Sequence, residues 1–70
     1  MFVEIVPITK RARERVKQHG KIMLLVRIDT FDGEPAILCE SLKQTAAGKK
    51  KWGGWFTARE ANYYERQDHV

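Results

Sequence analysis

Lys49-Lys50-Lys51-Trp52-Gly53-Gly54-Trp55-Phe56 sets three consecutive ammonium groups beside two indoles and a phenyl ring. Lysines meet phosphates and flat rings stack on bases, so this run has the chemistry of a nucleic-acid contact. Stacking contributes ~1–3 kcal/mol per base, and each phosphate contact adds an increment that salt erodes. A plainer reading has Trp55 and Phe56 closing a core while the lysines decorate a loop. Strict strand alternation puts Trp52 and Phe56 on one face and Trp55 on the other. Trp52, next to the lysines, is the ring expected at the surface.

A second cationic group is Lys10, Arg11, Arg13, Arg15 and Lys17, with Glu14 the one acid among them. On a helix, Lys10, Arg11 and Arg13 occupy the first turn, where the macrodipole is positive and disfavours cations by a few tenths of a kcal/mol each. Solubility alone does not require five bases on so short a segment, although salt screens much of the cost. The pattern suits phosphates or an acidic partner.

Other chemistries find less support. Ala47-Gly48-Lys49-Lys50 has the end of a phosphate loop without its first glycine or its Ser/Thr. Asp29, Asp32, Glu34 and Glu40 lie on a hairpin that separates Glu40 from the turn by roughly 20 Å at ~3.4 Å per residue, too far to share one ion. Cys39 has no nearby histidine in sequence, because His19 ends a helix and His69 lies in the tail. One Cys and two scattered His make neither a zinc spacing nor a nucleophile–base pair. No catalytic residue, metal ligand or cofactor is read from the chain.

Charge is unevenly spread over the 70 residues, which carry +4 overall. Residues 1–28 hold +5, 29–42 hold −4, 43–56 hold +4 and 57–70 hold −1. Two basic blocks flank an acidic hairpin, and their field favours a polyanion if folding brings them together. With 43% hydrophobic and 31% charged residues the composition is that of a globular chain. Its length is that of one domain, residues 1–70, with 68–70 expected to fray. Ile22-Met23-Leu24-Leu25-Val26 is the longest apolar run, far short of the ~20 residues that span a bilayer. The first residues have no secretory pattern and the lone Cys39 forms no internal disulfide, so a cytoplasmic setting is expected.

The elements that must position these groups follow from local pattern. Phe2–Val6 reads as a strand. Thr9 is suited to cap a helix over Lys10–His19 that Gly20 closes, with Ile8, Ala12 and Val16 as its apolar stripe. Lys21–Phe31 reads as a strand with Ile22, Leu24, Val26 and Ile28 alternating onto one face. Asp32-Gly33 is a type I′ turn dipeptide. Counting back from it pairs Phe31 with Glu34, Thr30 with Pro35, Ile28 with Ile37, Val26 with Cys39 and Leu24 with Ser41. Lys43–Lys51 reads as a loop and Trp52–Phe56 as a third hairpin strand, with Gly53-Gly54 marking a bulge or a close approach. Thr57-Ala58-Arg59-Glu60 matches the capping box of a second helix running to about Gln67. The expected fold is α+β, a small antiparallel sheet with two helices on one face, in the order β-α-β-β-β-α.

The function read from these residues is a small, basic, non-catalytic nucleic-acid-binding module with limited sequence specificity. Lys10, Arg11, Arg13, Arg15, Lys17, Lys49, Lys50 and Lys51 are its phosphate contacts and Trp52 its stacking ring. The alternative is an accessory or inhibitor module that docks on a host protein. Its contacts are the hairpin edge, where strand 34–42 augments a partner's sheet, or a patch of Trp52, Trp55 and Tyr63.

Overall fold

Segments rich in β-branched and aromatic residues form the strands of this chain, and the cationic segment between the first two forms a helix. The computed structural model describes residues 1–44 and 51–66. Along the chain they form β1 (Phe2–Pro7), α1 (Lys10–His19), β2 (Ile22–Phe31), β3 (Glu34–Gln44), β4 (Lys51–Thr57) and β5 (Ala61–Arg66). The strands make one antiparallel sheet in the order β4-β3-β2-β1-β5.

This corrects the α+β expectation of two helices in the order β-α-β-β-β-α. Among the described residues there is one helix, and the segment after Glu60 is a strand. The capping-box residues do bond to one another. Glu60 Oε1 accepts the Thr57 amide at 3.1 Å and the Thr57 hydroxyl at 3.3 Å, while the Glu60 amide donates to the Thr57 carbonyl at 3.0 Å. Those bonds make a turn and no helix grows from it. Asn62, Tyr63 and Tyr64 are poor helix formers, and β1 offers a whole free edge that β5 pairs from Pro7–Ala61 to Phe2–Arg66. The Glu60 carbonyl accepts the Ile8 and Thr9 amides at 2.8 and 3.2 Å, which ties the turn to the start of α1.

The sheet is strongly curled. Laid flat, β4 and β5 would lie about 19 Å apart, four spacings of ~4.8 Å. Only Ala58, Arg59 and Glu60 connect them, a span of at most about 14 Å. The curl encloses a core of Val3, Ile5, Met23, Ile37, Cys39, Phe56 and Ala61, closed by Ala12 of α1 with Val16, Leu25 and Trp52 packed around it.

The helix forms where its caps require. The Thr9 hydroxyl accepts the Ala12 amide at 3.2 Å, and Gly20, at φ +95°, turns the chain while its amide bonds the Val16 carbonyl. Asp32 and Gly33 both adopt positive φ, +53° and +78°, as the type I′ turn demands. Next to the turn, Phe31–Glu34, Thr30–Pro35 and Ile28–Ile37 pair as counted. Beyond it the count fails. A bulge at Val26 sets Leu25 opposite Cys39, Leu24 opposite Glu40 and Met23 opposite Ser41. Met23 and Ile28, five residues apart, would face opposite sides of a regular strand; the extra residue puts both on the same face and bends β2, with Met23 buried in the core and Ile28 left 62% exposed. Met23 is therefore buried and Val26 exposed, the reverse of the period-two reading.

Candidate functional site

Ala12 is buried and Val16 half-buried, which fixes how α1 lies on the sheet. Lys10, Arg11, Arg13, Glu14 and Lys17 are left exposed to solvent. Arg13 Nη1 donates to the Ile8 carbonyl at 2.9 Å, which stiffens the helix entrance. Arg15 is half-buried and has a different task. Its Nη1 donates to the Trp55 carbonyl at 2.7 Å, and its guanidinium carbon lies 5.5 Å from the Phe56 ring centre and 5.7 Å from that of Trp52. One side chain thus satisfies a backbone acceptor of the edge strand β4 and gains two cation–π contacts.

Trp52 is not the open stacking face expected of it. The His19 ring covers it in parallel at 4.3 Å, Phe56 meets it edge-on at 6.2 Å, and it lies over Gly54. The ring is half-buried. A signal for this was available in the sequence: Gly54, two residues on and on the same strand face, leaves the space that a large ring fills.

Trp55 points the other way and stacks on Phe31 of the hairpin, with centroids 6.2 Å apart and planes 17° from parallel. Both rings line an open groove of about 510 Å³ together with Arg11 and Arg15 of α1 and Arg59 of the turn. Phe31 and Arg59 carry no sequence signal of their own for this groove. Phe31 emerges only when a further strand is set beside the hairpin, whereas Arg59 sits in a capping-box pattern that predicts a helix where none forms. Asp32, Glu34 and Glu60 also line the groove and balance its three arginines. Glu34 is held by Arg59 at 2.7 Å and Glu60 by Thr57, so the surplus positive charge lies on the adjoining face of α1.

Lys51 is exposed at the start of β4 and precedes Trp52, whose ring rests on His19 at the end of α1. Lys51 and the cationic helix therefore lie on neighbouring elements. Lys49 and Lys50, and the fraying expected of 68–70, lie outside the described residues.

The contacts named for a protein partner are dispersed. Trp52 packs inward, Trp55 lines the groove, and Tyr63 borders a separate apolar pocket of about 170 Å³ with Ile28, Pro35 and Ala58. Strand 34–42 has no edge to lend, because β3 pairs with β2 on one side and β4 on the other. Cys39 is fully buried and desolvation pushes its thiol up to about 11, the opposite of nucleophile activation. Among the described residues no three His, Cys, Asp or Glu side chains are grouped to hold a metal ion. No described helix is long and apolar enough to cross a membrane.

No family model matches the sequence, and neither a curated protein nor a solved structure matches it.

Proposed function

We propose that this chain is a small, basic, non-catalytic nucleic-acid-binding module. Lys10, Arg11, Arg13 and Lys17 of α1, with Lys49–Lys51, meet phosphates, and Trp55 with Phe31 receives a base. The observation that carries this reading is the shared groove, where Arg11 and Arg15 stand beside the paired Trp55 and Phe31 rings. Cations flanking an aromatic face make a sequence-tolerant platform, and no set of side chains suited to base edges accompanies it. Limited sequence preference follows. The free, buried Cys39 is in keeping with a reducing cytoplasm.

The test is binding to single- and double-stranded DNA and RNA across a salt series. Seven phosphate contacts on a single strand give a slope of about −4.9 in log K against log salt, or roughly a 900-fold loss from about 50 to 200 mM. Arg11→Glu with Lys17→Glu is expected to flatten that slope. Absent binding at low salt, or binding that ignores the double reversal, would remove the proposal.

A protein-docking accessory or inhibitor role draws support from the apolar pocket between Ile28 and Tyr63. It predicts weak salt dependence and a loss of partner affinity on Tyr63→Ala.

A further inference from the structure

The second half of β2 has a strand on one side only. β3 pairs it from Arg27 to Phe31, whereas β1 reaches no further than Leu24, with the Leu25 amide bonded to the Met1 carbonyl at 2.8 Å. Among the described residues nothing pairs the other edge of Val26–Phe31, and Val26 and Ile28 are 50% and 62% exposed. The two-residue turn decides which backbone groups face that edge. Phe31 and Glu34 flank it as a hydrogen-bonded pair, so Asp29–Ala36 and Arg27–Leu38 are hydrogen-bonded pairs too. Ile28 and Thr30 then turn their N–H and C=O groups outward. Pro35, which has no N–H, stands opposite Thr30 as this parity requires.

We propose that this edge pairs antiparallel with the same edge of a second copy, about a two-fold axis at Ile28. Ile28 then faces Ile28 of the copy and the two exchange N–H···O=C bonds. Arg27 faces Asp29 of the copy, twice. Within one chain these two side chains already share a face, with Arg27 Nη2 at 3.2 Å from Asp29 Oδ2, so the dimer joins them into four charges of alternating sign. Backbone parity and charge select the same register. An axis at Arg27 or Asp29 would oppose like charges and present backbone groups already used by β3. Five paired residues make an interface below the ~1,200 Å² of stable complexes, so the dimer is weak and depends on concentration. The five paired residues, 26–30, do not line the proposed nucleic-acid groove, which begins at the adjoining Phe31.

Sedimentation equilibrium from about 10 μM to 1 mM, the range in which weak dimers dissociate, tests the proposal. Self-association of the wild type is expected, with hydrogen exchange of its Ile28 amide slowing as concentration rises. Arg27→Asp and Asp29→Arg are each expected to stay monomeric, and an equimolar mixture of the two to dimerise, because each variant supplies the charges that the other lacks. Four results would each overturn it: a wild type monomeric throughout, single variants that associate like the wild type, a mixture that stays monomeric, or a monomeric wild type that captures an added β-strand peptide at Ile28.

Discussion

His19 lies flat on Trp52, ring centroids 4.3 Å apart and planes 6° from parallel, and this contact closes the end of α1 onto β4. The Ser41 hydroxyl donates to the His19 carbonyl at 3.1 Å and secures the same corner to β3. Trp52 is thus a packing group, while Trp55 faces the groove. Trp52→Ala is expected to cost about 2–4 kcal/mol of stability, somewhat less than the ~3–5 kcal/mol for deleting a fully buried large ring, because the indole is only half-buried. Trp55→Ala is expected to cost less stability but to weaken nucleic-acid binding by roughly 1–3 kcal/mol per stacked base. Urea midpoints and binding isotherms on the two variants separate these roles. The opposite ranking would return the stacking role to Trp52.

Gly54 is required by the same indole. A Cβ at this position would lie 2.5 Å from Cζ2 of Trp52 and 2.6 Å from Cη2, inside van der Waals contact. At Gly53 the nearest atom is the Cys39 carbonyl oxygen at 3.7 Å, an ordinary distance. Gly54→Ala should therefore push the ring off its seat and destabilise by about 1–3 kcal/mol, as overpacking does, with a changed tryptophan emission. Gly53→Ala should leave emission unchanged and stability nearly so. Equal effects at the two glycines would mean that the ring is not seated on Gly54.

What the sequence made legible was short-range. Thr9, Gly20 and Asp32-Gly33 announce a helix start, a helix end and a hairpin turn because each satisfies backbone groups within a few residues of itself. The bulge at Val26 was hidden, since it answers the curl of the whole sheet, and no residue near it marks one. β5 was hidden for a related reason. Thr57 and Glu60 carry a local helix-start signal, but the free edge of β1 that overrides it is more than fifty residues away in sequence. At the candidate site, the cations of α1 could be listed from sequence, whereas the pairing of Phe31 with Trp55 requires three strands and a turn in place.

The turn itself can be tested at Glu60. Its carboxylate holds the Thr57 amide and hydroxyl, and its backbone holds Ile8 and Thr9. Glu60→Ala removes only the side-chain bonds and is expected to lower stability by about 1 kcal/mol, as the loss of a cap does. Glu60→Gln keeps an acceptor and should recover part of that loss. If Glu60→Ala is silent in urea titrations, the backbone bonds alone hold the turn and the carboxylate is dispensable.

Cys39 gives the chain an alkaline limit. Burial moves its thiol from 9.0 to about 11. An unfolded chain ionises this group near 9 and the folded one only near 11, so between those values the unfolded state binds fewer protons. Stability therefore falls as pH rises across that window, and below pH 9 the contribution is present in full. Cys39→Ala lacks the titrating group while leaving every other side chain in place. Its stability starts lower, because a cavity replaces the sulfur, but should decline less steeply from pH 8.5 to 11. Parallel declines in the two proteins would show that the thiol is not protected. A native chain whose thiol reacts with a disulfide reagent as fast as the urea-unfolded chain would show the same.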